Sequence, residues 1–138
     1  MPVLQRVIEC HTPGRGLVNI TASVQRVVND SGIVTGLCTI FVQHTSASLV
    51  IQENADPTVR IDLDDWFSDL APSSRPWRHD TEGPDDMPAH ARAAITRTSE
   101  VIPVMNGELG LGTWQGVYLW EHRSRAHRRS LIVHVQGS

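Results

Sequence analysis

GLCTIFVQHTSASLVIQE, residues 36–53, is the stretch on which the fold turns. Cys38, Ile40 and Val42 share one face of an extended chain, and Thr39, Phe41 and Gln43 the other, because successive strand side chains alternate. The same alternation carries His44 to the end of the apolar face. Thr45-Ser46-Ala47-Ser48 makes a tight polar corner, and 49–53 reads as a second strand returning antiparallel.

Upstream, residues 3–10 alternate as a strand, which Pro13, Gly14 and Gly16 break before a short strand at 17–20. Thr21 reads as a helix N-cap; Val24, Val27 and Val28 recur at helical spacing over 22–31, and Gly32 follows as the C-cap. Downstream, Asp56-Pro57 opens a helix, since Asp caps free amides and Pro at the first helical position gives up no needed donor. Val59, Leu63, Trp66, Phe67 and Leu70 are its apolar stripe, ending at Pro72. A long loop occupies 72–87, and Pro88 starts a helix running to about Thr98.

Val101, Pro103 and Val104 suggest an edge strand, because Pro cannot donate to a ladder. Asn106-Gly107 is a hairpin signal, turning 100–105 back into 108–111. Residues 113–123 and 130–136 read as two long strands joined by the basic turn 124–129. The sum is at least six strands, mostly connected by hairpins, with three helices: an α+β antiparallel fold in one domain, 1–138. The 113–123 strand carries apolar side chains on both faces and so needs cover on both, by a helix layer on one side and a neighbouring subunit on the other.

The 138 residues suffice for one core without staples. Arg supplies all twelve basic side chains against fifteen carboxylates, a net charge of −3 that argues against a nucleic-acid partner. Cys10 and Cys38 fall in no paired motif, and neither a secretory leader nor an apolar run of membrane length is visible. The expectation is a cytoplasmic protein with no membrane partner.

The densest chemistry is HDTEGPDDMPAH, residues 79–90, two imidazoles and four carboxylates that repel unless a cation or a hydrogen-bond network holds them. With Asp86 capping the helix, Asp86 and His90 lie one turn apart near its N-terminus, which favours a neutral imidazole. The bland alternative, a capping carboxylate and a solvated His, weighs about equally on spacing alone. His44 ends an apolar strand face, more often a structural position, but Thr45, Ser46 and Ser48 beside it could cradle a phosphate through hydroxyls and turn amides. Gln115 and Glu121, on a strand covered on both sides, must find partners or a ligand.

Five words taken in order carry a resemblance: HTSAS at 44–48, ENADP at 53–57, RHDTEGPDDMPAH at 78–90, NGELGLGTWQG at 106–116 and EHR at 121–123. Together they resemble the YjbQ family of small bacterial and archaeal proteins; the family often has a second Thr where Ser46 stands. The resemblance implies a single-domain antiparallel β-sandwich with flanking helices, assembled as a homotrimer. It further implies a weak thiamin-phosphate synthase joining hydroxymethylpyrimidine diphosphate to thiazole phosphate and releasing pyrophosphate. By matching motif the site draws on His44, Thr45, Ser46, Asn54, His79, Asp86, His90, Gln115 and Glu121.

Within that expectation His44, Asp86, His90 and Glu121 act as catalytic groups, while Thr45, Ser46, Ser48, Asn54 and Gln115 hold a small phosphorylated metabolite. His44, His79, Asp86 and His90 hold a divalent metal, Mg or Zn. The alternatives are an oligomer that binds a metal or a phosphorylated metabolite without turnover, and metal-assisted hydrolysis at the same His/Asp site.

Overall fold

The computed structural model describes residues 2–138. Two antiparallel sheets close on one core. The larger has five strands in the order β1-β8-β3-β5-β6: β1 (Val3–Thr12), β8 (His127–Gly137), β3 (Gly36–Val42), β5 (Ser99–Met105) and β6 (Glu108–Leu109). The smaller has the order β2-β7-β4: β2 (Gly16–Asn19), β7 (Gln115–Glu121) and β4 (Ala47–Glu53). Helices α1 (Thr21–Ser31), α2 (Pro57–Leu70) and α3 (Asp86–Ile95) flank them. The α+β antiparallel class expected from the strand patterning therefore holds.

Cys38, Ile40 and Val42 are buried as their alternation requires, in one cluster with Val133, Val135 and Leu119. The strand after the polar corner is where the expectation fails. Both edges of β3 are occupied, by β8 and β5, so β4 crosses to the other sheet and pairs with β7. β7 and β8 part in the same way: β7 joins β2 and β4, while β8 joins β1 and β3. Among the described residues only β5 and β6 form a consecutive hairpin, on Asn106 (φ 53) and Gly107 (φ 78), the paired positive φ of a type I′ turn.

Helix boundaries also moved. Ile20 occupies the N-cap of α1, and Thr21 instead accepts the Val117 N–H on its hydroxyl at 2.9 Å, tying the helix to β7. Asp56 caps α2 as expected, accepting the Thr58 N–H at 2.9 Å, with Pro57 at the first position. Its expected stripe is only partly right. Phe67 is buried, but Trp66 and Leu70 are more than half exposed. The face α2 lays on the small sheet is part polar: Trp120 donates its indole N–H to Asp64 at 3.0 Å, and Arg60 donates to the Tyr118 hydroxyl at 3.2 Å.

That contact removes one ground for an oligomer. Tyr118, Trp120 and His122 are covered by α2, with Phe67 stacked 4.3 Å from Trp120, while Val117 and Leu119 face the core. Both faces of β7 are thus covered from within the chain. No helix among the described residues is long and apolar enough to cross a membrane.

Candidate functional site

Helix α3 begins at Asp86, two residues before the position Pro88 suggested, and ends at Ile95, because Arg97 already bridges to Leu49 of β4. Asp85, not Asp86, is the N-cap, and it makes no capping bond. Its carboxylate instead accepts from Arg123 Nε at 2.9 Å and from the Ser124 N–H at 2.9 Å. Burial raises the Asp85 pKa, but the bonds from Arg123 and Ser124 outweigh it and hold the carboxyl well below its ordinary range. The 72–85 loop is thereby latched to the β7–β8 turn.

This latch presents Asp86. Its Oδ1 accepts from Arg123 Nη1 at 2.6 Å, and its Oδ2 lies 2.7 Å from His79 Nε2 and 3.1 Å from His90 Nε2. The three donor atoms lie within 4.8 Å of one another. Asp86 is buried while His79 is 42% exposed, so the cluster opens to solvent on the loop side. Burial raises the Asp86 pKa, and the His79, His90 and Arg123 groups more than reverse it. The hydrogen bond to Asp86 leads the causes that raise the His79 pKa. Glu82, 2.9 Å from the same His79 nitrogen, is a further oxygen at the rim.

His90 Nδ1 lies 3.0 Å from the Thr45 carbonyl oxygen, which can only accept, so that nitrogen carries the ring proton. In the neutral ring the lone pair of Nε2 therefore faces the carboxylate of Asp86. Two lone-pair atoms that close require a proton or a metal ion between them. A metal-binding His commonly donates its other N–H to a backbone carbonyl, which is the arrangement here.

His44 stands apart from this cluster, although it and His90 line the same depression of about 260 Å³ with Thr45, Ala93, Ala94 and Thr98. Its Nε2 is taken by the Ser130 N–H at 2.8 Å, so the expected place among the metal ligands is not the one the fold gives it. The expected hydroxyl cradle is not formed either. Ser46 Oγ accepts from Arg129 Nη2 at 3.0 Å, Ser48 Oγ pairs with His122 Nε2 at 2.8 Å, and both serines are buried. Thr45 contributes its backbone carbonyl.

Glu121 is fully buried, and its carboxylate accepts from Thr12 Oγ1 at 2.7 Å, from Arg129 Nε at 2.8 Å and Nη2, and from the Arg123 N–H at 3.1 Å. Burial raises its pKa, but the bonds from Arg129 and Thr12 prevail and keep it ionised. It is an internal clamp and does not meet the His79–Asp86–His90 cluster. Asn54 and Gln115 lie at the far end of the small sheet. β4 and β7 pair Ala47 with Glu121 at one end and Glu53 with Gln115 at the other, about 20 Å away. There Asn54 donates to the Thr113 and Gln115 carbonyls, and Gln115 Oε1 accepts from the Gly112 N–H, so both brace a loop.

Arg123 and Arg129 are the residues missed by the reading of the sequence. Arg123 sits within the quoted EHR word, but nothing local announces that it reaches 37 positions back to Asp86.

His122 is an internal group with its own consequence. It is fully buried, its Nδ1 has no partner among the described residues, and burial, then the nearby Arg92 charge, push its pKa down to about 3. An unfolded imidazole titrates near its ordinary 6.5, so between those values the unfolded chain binds the proton that the folded one refuses. Stability should fall as pH drops from about 6.5 towards 3, at up to about 1.4 kcal/mol per pH unit. Denaturant unfolding between about pH 7 and 5 should show a flatter slope for His122→Gln; equal slopes in variant and wild type would refute the assignment.

Residues 6–138 match the family model described as "UPF0047 protein YjbQ-like". The chain is 60% identical over 134 residues to UPF0047 protein sll1880 of Synechocystis, covering 96% of this chain and 91% of that one. It is 40% identical over 134 residues to UPF0047 protein YjbQ of Salmonella typhimurium, covering 96% and 97%. A crystal structure of a YbjQ-like protein of unknown function from Sulfolobus solfataricus P2 superposes with a TM-score of 0.87 at 29% identity, covering 99% of both chains. These names state a family and no activity. They overturn the expected thiamin-phosphate synthase, which nothing in the similarities supports. From the quoted words, the shared fold and a match along almost its whole length, the chain belongs to the YjbQ (UPF0047) family.

Proposed function

We propose that the protein is a metal-binding protein, holding one divalent transition-metal ion between His79 Nε2, Asp86 Oδ2 and His90 Nε2. The observation that carries this is the convergence of His79 Nε2 and His90 Nε2 on Asp86 Oδ2, with His90 Nδ1 already donating to the Thr45 carbonyl. Ligands about 2.0–2.1 Å from a tetrahedral zinc ion lie about 3.3 Å apart, close to the 3.1 Å between His90 and Asp86. His79 Nε2, 2.7 Å from Asp86 Oδ2, lies on the exposed loop, which can shift to open that distance. Two imidazoles and one carboxylate suit zinc better than magnesium, which prefers oxygen donors throughout. A three-ligand set leaves a position for a small oxygen-donor ligand on the open side.

Calorimetric titration of chelator-treated protein with Zn²⁺ is expected to give one ion per chain, with Mg²⁺ giving no comparable heat. A zinc titration indistinguishable from buffer would end the proposal. Arg123→Gln should weaken zinc binding about 10–100-fold, the usual cost of losing the group that orients a ligand, since Asp86 Oδ1 would lose its guanidinium. An unchanged zinc affinity would show that Arg123 does not orient the ligand.

The homotrimer implied by the family likeness belongs to the same proposal, supported by a different surface from the one first expected. The outer face of the large sheet exposes Val3, Val7, Leu37, Phe41, Val101 and Met105 across three strands, and no carboxylate, Arg or Lys stands at its centre, where Gln5, His134 and Thr39 lie in register. An apolar face without a carboxylate, Arg or Lys at its centre suits a second copy of itself better than a charged partner. Light scattering should return three times the chain mass of 15.3 kDa; a mass near one chain would remove it. A cytoplasmic location is also proposed, supported by Cys10 and Cys38 both being free thiols.

A further inference from the structure

The contact between His44 and Arg129 cannot be an ordinary hydrogen bond. The Ser130 backbone N–H donates to His44 Nε2 at 2.8 Å, so that nitrogen keeps its lone pair and the neutral ring carries its proton on Nδ1. Burial, followed by the Arg129 charge, lowers the His44 pKa and keeps the ring neutral. Nδ1 nevertheless lies 3.4 Å from Arg129 Nη1, which has only hydrogens to offer. Two donors face one another with no acceptor.

The rest of Arg129 is satisfied: Nε and Nη2 bond Glu121, and Nη2 also bonds the Ser46 carbonyl at 3.3 Å and hydroxyl at 3.0 Å. The Arg129 side chain is 5% exposed and held by those bonds, so Nη1 is fixed in place, and among the described residues no oxygen accepts from it. An oxyanion supplies what both groups lack, and charge-assisted bonds from Arg and His to such oxygens are short and strong.

We infer that His44 Nδ1 and Arg129 Nη1 are a donor pair for a phosphate or carboxylate oxygen of a small metabolite, whose body occupies the depression His44 shares with His90. At about 260 Å³ and lined by Ala93, Ala94 and Thr98 as well as His44, Thr45 and His90, that space admits a compact, partly apolar molecule. Recognition here comes from a guanidinium and an imidazole, in place of the serine hydroxyls that the sequence offered. The inference goes beyond the metal reading and does not depend on it, because neither donor is a ligand of the proposed ion.

Metal-free, ¹⁵N-labelled protein tests it. Long-range ¹H–¹⁵N spectra should find the His44 proton on Nδ1; a proton on Nε2 overturns the inference at once. Inorganic phosphate and acetate are then titrated separately against chloride at matched ionic strength. A saturable shift of the His44 ring nitrogens with either oxyanion, unmatched by chloride, is the expected result, and whichever binds tells phosphate from carboxylate. A response that chloride reproduces, or none, overturns it. His44→Gln should weaken the oxyanion at least about tenfold. Because no metal is present, failure of the zinc titration leaves this result standing, and the reverse holds equally.

Discussion

Replacing Glu121 by alanine is expected to destabilise the protein by about 3–5 kcal/mol, the cost of leaving one member of a buried ion pair without its partner. Arg129 would remain 5% exposed with its charge intact, and Thr12 and the Arg123 N–H would lose their acceptor. For a chain of this size that corresponds to a fall of roughly 10–20 °C in Tm. The charge itself is isolated by a second change. Glu121→Ala with Arg129→Met removes both ions, and the pair should be more stable than Glu121→Ala alone, because an apolar replacement of a buried pair is often close to neutral. If the double variant unfolds no later than the single one, the loss lies in packing and the electrostatic account is wrong. The same result bears on function, since an ionised, fully bonded Glu121 acts by holding Arg129 in place.

Removing Asp86 should have the largest effect on metal binding. Asp86→Ala is expected to weaken zinc by more than about 100-fold, since losing a group that merely orients a ligand already costs about 10–100-fold. Asp86 Oδ2 is the one atom both imidazoles approach, at 2.7 and 3.1 Å. The fold should survive, because Asp85 still latches Arg123 through Nε and the Ser124 N–H. Calorimetry on the variant, with a far-ultraviolet dichroism spectrum matching wild type, reads the two separately. Zinc affinity within tenfold of wild type in a folded variant would mean that the three residues are a hydrogen-bond cluster and no ion site.

The three residues of the cluster were legible because they are local. Asp86 and His90 are one helical turn apart on any reading, and His79 falls in the same run of twelve residues. Other contributions came from a distance that no spacing reveals. Thr45 reaches His90 across 45 positions and Arg123 reaches Asp86 across 37. Conversely, the hydroxyls of Ser46 and Ser48 read as a cradle because they adjoin His44, yet the chain entering β4 buries both, where Arg129 and His122 take them. Asn54 and Gln115 carried the family's pattern and proved to brace a loop at the opposite end of β7.

By itself the sequence determined what depends on neighbours along the chain: the alternation that buries Cys38, Ile40 and Val42, the Asp56-Pro57 helix start, the positive-φ turn at Asn106-Gly107, and the Asp86/His90 pair. The tertiary structure alone decided which strand pairs with which, since a strand offers two edges and its partners follow from competition among all of them. β8 and β5 took both edges of β3, so β4 crossed to the other sheet. That crossing set the backbone of residues 44–46 against α3 and β8, giving His90 its carbonyl, Arg129 its serine and His44 a donor for a neighbour.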